Sequence, residues 1–153
     1  MPLVLQCPEF PSGATIPQRF TEDGANVSPP LQWVGTPTGT GAYALVMDDP
    51  DAPGGTWVHW VVYDMPAMQT SLSGIVPALR SVEGGARQGK NSWGKIGYGG
   101  PAPPPGPAHR YFFRLYALSA PTNLKSGVTR ESLMVAIKGK VLGEAVWMGR
   151  YGR

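Results

Sequence analysis

The chain has 153 residues, which fits a single domain spanning residues 1–153. Hydrophobic residues make up 42% of it and charged residues 15%, a composition that excludes a disordered chain and predicts a packed core. The net charge of +3 is spread without a run of Lys or Arg, so we expect no nucleic-acid partner. The 21 glycines and 17 prolines indicate many short strands joined by ordered turns.

Cys7 is the only cysteine, so no internal disulfide can form, which favours a reducing compartment. The N-terminal residues lack the charged and apolar segments of a signal peptide, and no apolar stretch approaches the roughly 20 residues that span a bilayer. The sequence also has no amphipathic basic helix and no lipidation signal. We therefore expect a cytoplasmic protein with no stable membrane association.

Three segments rich in β-branched and aromatic residues predict buried strands, at 42–47, 56–65 and 109–118. The second of these is apolar on both faces, with Val58, Trp60 and Val62 expected on the same side, so it should lie in the middle of a covered sheet. A weaker strand is predicted within 71–79. The many turn residues between these segments predict a mainly β fold.

The last part of the chain has a different pattern. Thr129 is a plausible N-cap, and Glu131 follows in what would be the first turn of a helix. Apolar residues then recur at helical spacing, at Leu133, Ile137, Val141 and Ala145. This spacing predicts a helix over 130–148, although Gly139 and Gly143 could divide it into two short helices.

Polar residues gather where the predicted strands begin or end. Asp49 and Asp51 lie in a proline-rich loop after the first strand, and His59 lies within the second. His109 and Tyr111 share one face of the third strand because side chains alternate with a period of two. If the three strands are neighbours, these side chains converge on one pocket. The alternative for the acids is local, because Asp before Pro commonly hydrogen-bonds within its own loop.

Such a pocket suits a small anion. Burial favours a neutral imidazole, whereas a nearby carboxylate favours the protonated form, so Asp49 or Asp51 could hold a histidine oriented and partly protonated. Imidazole N–H groups and the Tyr111 hydroxyl could then donate hydrogen bonds to phosphate oxygens. We expect binding without turnover and no cofactor, since the chain carries no nucleophile motif such as G-x-S-x-G.

One enzymatic alternative uses the same residues. Two histidines and a carboxylate can ligate a metal ion, so His59, His109 and Asp49 could serve a metal-dependent hydrolase. The local spacings typical of zinc enzymes, such as H-E-x-x-H, are absent.

Several motifs together resemble the phosphatidylethanolamine-binding family, in particular its bacterial and archaeal branch, often labelled Raf kinase inhibitor-like. They follow one another in the order of that family and cover nearly the whole chain, at 23–33, 49–53, 57–62, 97–101, 109–111 and 148–153. One departure is the pair Val58-His59, where many eukaryotic members have two adjacent histidines.

The resemblance implies a central antiparallel β-sheet, a smaller second sheet and peripheral helices, including a C-terminal helical segment. It also implies a shallow pocket at one end of the sheet, which binds phosphate, acetate or a phosphorylated headgroup. The residues that match the family's pocket are Asp49, Asp51, Pro53, His59, Pro103, His109 and Tyr111. The implied partners are a phosphate-bearing small molecule or a phosphorylated protein. A kinase or peptidase target bound through another surface and a homodimer are further expectations.

Overall fold

The computed structural model describes residues 1–153 and contains eight strands, one α-helix and two short 3-10 helices. The strands are β1 (Val4–Gln6), β2 (Leu31–Val34), β3 (Ala42–Asp49), β4 (Trp57–Pro66), β5 (Ser71–Leu72), β6 (Arg87–Gln88), β7 (His109–Leu118) and β8 (Val141–Tyr151). The helices are α1 (Arg130–Ile137) and the 3-10 turns Gln18–Phe20 and Glu83–Gly85. None of the helices is long and apolar enough to cross a membrane.

The strands form two antiparallel sheets, as the family resemblance implied. The larger sheet has five strands in the order β6-β4-β3-β7-β8, and the smaller one has three in the order β1-β2-β5. The three predicted buried strands lie side by side at the centre of the larger sheet. Strand β7 has the predicted bounds, and β3 and β4 extend beyond the predicted ends to Asp49 and Pro66.

The central sheet is covered on both faces, which explains its nearly continuous apolar strands. One cluster of buried side chains fills the space between the two sheets, where Trp33 of the small sheet meets Met47 and Phe113 of the large one. A second cluster lies on the opposite face, where α1 contributes Leu133 and Ile137. Side chains that alternate along β3, β4 and β7 therefore enter two different cores.

A β-bulge in β4 changes which way His59 points. Strand β3 pairs Met47 with Trp60 but Asp48 with Val58, so His59 is one extra residue with no partner opposite it. The prediction that Val58 shares a face with Trp60 is therefore wrong. Val58 packs in the cluster beside α1, whereas Trp60 packs between the sheets. The bulge places His59 on the side of Tyr111, and their ring centroids are 5.2 Å apart.

The C-terminal helix begins as predicted and ends much earlier. The Thr129 side chain accepts a hydrogen bond from the backbone N–H of Ser132 and caps α1. The prediction of a helix over 130–148 is wrong beyond Ile137, because Gly139 follows the last turn with a φ of +80° and reverses the chain. Residues from Val141 onward form β8, which pairs with β7 along its whole length.

The weak strand predicted within 71–79 is also shorter than expected. Only Ser71 and Leu72 pair in β5, and the chain then turns at Gly74. The next residues are held by Ser28, whose carbonyl accepts from the Ile75 N–H and whose hydroxyl accepts from the Val76 N–H. These contacts take up the backbone donors that a longer strand would have used.

Candidate functional site

The predicted polar residues meet at one edge of the central sheet. Strand β3 ends at Asp49, and its antiparallel neighbours β4 and β7 begin at Trp57 and His109, so all three ends lie together. A cavity of about 680 Å³ opens at this edge. Six of the seven residues expected in the pocket line it, namely Asp49, Pro53, His59, Pro103, His109 and Tyr111.

Asp49 orients His109. One carboxylate oxygen of Asp49 accepts a hydrogen bond from Nδ1–H of His109 at 2.7 Å, and the other accepts from the backbone N–H of Asp51 at 2.8 Å. The Asp49 side chain is only 5% exposed, so both contacts are protected from water. Because a carboxylate can only accept, the proton on His109 is fixed at Nδ1 and its Nε2 has no hydrogen-bond partner in the protein.

His59 is oriented by a backbone carbonyl instead of a carboxylate. Its Nδ1–H donates to the carbonyl of Gly99 at 2.6 Å, and the Gly99 N–H donates back to the His59 carbonyl at 2.9 Å. The residue is 2% exposed, and this burial lowers the pKa of His59 below its ordinary value. At neutral pH the ring is therefore uncharged, with a lone pair on Nε2.

Tyr111 brings a hydroxyl that makes no hydrogen bond of normal geometry within the protein, although the Asp49 carboxylate is close enough to affect it. Its side chain is fully buried at the cavity, and the hydroxyl oxygen has no hydrogen-bond partner. Burial, helped by the negative charge of Asp49, raises the pKa of Tyr111 well above its ordinary value, so the group stays a donor. An unpartnered buried hydroxyl is unfavourable, and a ligand that accepted from it would remove that cost.

Two tryptophans form the outer wall of the cavity. Trp57 and Trp93 are 37% and 38% exposed, and their rings meet edge to face with centroids 5.5 Å apart. Trp93 also packs against His59 at 5.1 Å. Its position is fixed by Asn91, whose buried side-chain oxygen accepts from the backbone N–H groups of Trp93 and Lys95. The mouth of the cavity is therefore aromatic and well supported.

A cation that the sequence reasoning missed lies on the cavity wall. Arg153 lines the cavity, donates to the carbonyl of Pro103 at 3.2 Å and pairs with Asp23, where Nη2 and Oδ1 are 2.8 Å apart. Glu22 lines the same wall. The signal was present in the two terminal motifs, 23–33 and 148–153, which the fold brings together beside the proline loop.

Asp51 is the one expected pocket residue that does not line the cavity. Both of its carboxylate oxygens accept from the Arg110 guanidinium at 2.9 Å, and the Arg110 N–H adds a third bond. These bonds lower the pKa of Asp51 to about 2. Its contacts attach the loop after β3 to the start of β7. Of the two expected aspartates, only Asp49 therefore lines the cavity.

The metal-binding alternative has no ligand set here. No three His, Cys, Asp or Glu side chains are close enough together to hold a metal ion. Asp49 uses both carboxylate oxygens within the protein, where they accept from His109 and from the backbone N–H of Asp51.

The chain belongs to the phosphatidylethanolamine-binding protein family, whose model matches residues 6–152. Among curated relatives, a UPF0098 protein from Methanothermobacter thermautotrophicus is 46% identical over 144 residues, which cover 94% of this chain and 95% of the relative. A UPF0098 protein from Aquifex aeolicus is 44% identical, and the alignment covers 94% of this chain and 85% of the relative.

Solved structures agree with this membership. A phosphatidylethanolamine-binding protein homologue from Chlamydia trachomatis superposes with a TM-score of 0.91 at 33% identity, covering 99% of this chain and 98% of its own. Escherichia coli YbcL, described as a new member of the mammalian family, also has a TM-score of 0.91, at 29% identity, and covers 100% and 99% of the two chains.

Proposed function

We propose that this protein binds a phosphate-type anion in the cavity at the end of β3, β4 and β7, and that it acts as a regulatory or inhibitory binding module. The observation that carries the proposal is the Tyr111 hydroxyl, a buried donor with no partner that lies in the cavity wall. A phosphate oxygen would satisfy it, as a charge-assisted acceptor.

One fixed positive charge on the cavity wall supports an anion. Arg153 lies there and is positioned by Asp23, while Glu22 and Asp49 are acidic residues of the same wall. A negatively charged ligand would gain from contact with Arg153. The volume of about 680 Å³ lies in the range of small-molecule sites and leaves room for a phosphorylated headgroup.

The proposal is tested by calorimetric titration of inorganic phosphate and phosphoethanolamine into the wild type and into His59→Ala and Tyr111→Phe, at fixed salt. We expect measurable binding in the wild type and weaker binding in both variants. Unchanged affinity in both variants would exclude this cavity as the binding site. Near-ultraviolet circular dichroism of each variant controls for folding.

A kinase or peptidase target and a homodimer stay predictions from the resemblance. A cytoplasmic location stays a prediction from the cysteine count and the N-terminal residues. One relative is named lipoprotein LppC, from Mycobacterium tuberculosis, and is 41% identical over 152 residues. A hydrolase that uses His59, His109 and Asp49 would require a metal, so metal analysis of the purified protein tests that alternative.

A further inference from the structure

We propose that His59 makes the cavity bind hydrogen phosphate in preference to sulfate. The two anions have the same charge and about the same size, but only hydrogen phosphate carries a proton. This inference rests on the proposed function and specifies the chemistry of its ligand. It assigns to His59 the role of a hydrogen-bond acceptor, in contrast to the donor role expected from the sequence.

The proton of the neutral His59 ring lies on Nδ1. In a neutral imidazole one ring nitrogen donates and the other accepts. The Nδ1 atom lies 2.6 Å from the Gly99 carbonyl oxygen, which can only accept, so the hydrogen must be on Nδ1. The Nε2 atom then carries a lone pair. It has no partner in the protein, and His59 lines the cavity.

The groups around His59 keep it neutral. The carboxylates that act on it are Asp49, which is hydrogen-bonded to His109, and Asp48, which is paired with Arg114. Both would favour a protonated ring, but burial outweighs them and the net effect lowers the pKa of His59.

The remaining neighbours of the ring are aromatic. Trp93 and Tyr111 pack against His59 edge to face, at 5.1 and 5.2 Å. The Tyr111 hydroxyl is protonated, because burial raises its pKa. Farther along the cavity wall the charged groups are Glu22 and Arg153.

The cavity therefore offers a donor and an acceptor from adjacent rings. The Tyr111 hydroxyl can donate to a phosphate oxygen, and Nε2 of His59 can accept the hydrogen of the P–OH group. Sulfate has no hydrogen at neutral pH, so one of its oxygens would face the lone pair of Nε2. Sites built around a buried hydrogen-bonding group discriminate strongly against an analogue that leaves that group unpaired.

His109 is not assigned this role. Its ring centroid lies 6.5 Å from that of Tyr111, compared with 5.2 Å for His59, so it is less well placed to contact the anion that the Tyr111 hydroxyl binds. His109 therefore supplies the matched control.

The test is a calorimetric comparison of inorganic phosphate with sulfate at constant ionic strength near pH 8, where both ions are mainly dianions and only phosphate carries a proton. We expect wild type to bind phosphate at least about tenfold more tightly than sulfate. In His59→Asn, whose amide can still donate to the Gly99 carbonyl but has no atom at Nε2, the ratio should fall towards one. In His109→Gln the preference should persist.

Equal affinities for the two ions near pH 8, or an unchanged preference in His59→Asn, would overturn the inference alone. No binding of either ion would overturn the proposed function and this inference with it.

Discussion

His59 and Gly99 are joined by two reciprocal hydrogen bonds although they lie 40 residues apart in the chain. The Nδ1–H of His59 donates to the Gly99 carbonyl at 2.6 Å, and the Gly99 N–H donates to the His59 carbonyl at 2.9 Å. A side chain at position 99 would have its Cβ only 2.4 Å from the ring of Trp93. The glycine therefore orients His59 and leaves room for the tryptophan at the cavity mouth.

The first prediction concerns that glycine. Gly99→Ala must displace either the Trp93 ring or the carbonyl that holds His59, so we expect a loss of about 1–3 kcal/mol in the free energy of unfolding and weaker phosphate binding. Denaturant unfolding and calorimetry measure the two effects. Gly54→Ala, where the added Cβ meets nothing within 4 Å, is the control for stability. Wild-type stability and affinity in Gly99→Ala would contradict the packing described here.

The second prediction separates function from stability at Tyr111. Tyr111→Phe removes a buried hydroxyl that has no partner, so the free energy of unfolding should stay the same or rise slightly, while phosphate affinity falls about tenfold.

The matched control is Tyr63→Phe, which removes a hydroxyl that donates to the Lys125 carbonyl at 2.6 Å on the other face of the sheet. That variant should lose about 1 kcal/mol of stability and keep its affinity for phosphate. The opposite pattern in the two variants would show that the Tyr111 hydroxyl is structural.

Much of the fold was predictable because its long strands have strong local patterns. The alternation of His109, Tyr111 and Phe113 gave the bounds of β7 and the face of its side chains. The C-terminal error has an equally local cause. Leu133 and Ile137 do lie on one side of a helix, but Val141 continues the same spacing by coincidence after Gly139 has ended it. The position of that glycine was the stronger signal.

The candidate site was less predictable, since it depends on irregular geometry and long-range pairing. No residue pattern reveals the bulge that turns His59 towards Tyr111, and a regular strand would have pointed it at α1. Asp51 does not line the cavity because its carboxylate is hydrogen-bonded to Arg110, which lies far along the chain. Arg153 and Asp23 both belong to motifs noted in the sequence, but their spacing does not show that they pair beside the cavity.

The third prediction is a pH dependence of stability from Asp51. Its carboxyl has a pKa of about 2 in the folded protein, lower than the roughly 3.9 of an unfolded chain, so the group stabilises the fold above about pH 4. That contribution should disappear as the pH falls towards 2.

Because the pair with Arg110 is partly exposed, Asp51→Asn should cost only up to about 1 kcal/mol at neutral pH. The difference in unfolding free energy between wild type and variant should shrink on acidification. If the difference in unfolding free energy grew below about pH 4, folding would not lower the pKa of Asp51.

The fourth prediction distinguishes Asp48 from its neighbour Asp49. The Asp48 side chain is 2% exposed and accepts from Arg114 in a two-bond pair on the α1 side of the sheet. Arg114→Leu leaves that carboxylate buried without a cation, so we expect a loss of about 2–4 kcal/mol in thermal or denaturant unfolding. Adding Asp48→Asn to the same chain should restore part of the loss.

Phosphate affinity should not change in either of these variants, because neither side chain lines the cavity. Asp49→Asn is the counterpart on the cavity side, where we expect weaker phosphate binding because His109 loses the carboxylate that orients it. Weaker binding in Arg114→Leu, measured on folded protein, would require a role for the opposite face of the sheet.

The most direct test of the proposed function is a phosphate titration of ¹⁵N-labelled wild-type protein followed by NMR. We predict saturable chemical-shift changes for the Trp93 and Trp57 indole N–H groups and for the backbone amides of Gly99 and Tyr111. In the Tyr111→Phe variant the same signals should change only at higher phosphate concentrations. Shifts confined to residues outside the cavity, or no saturable shifts at all, would contradict the account.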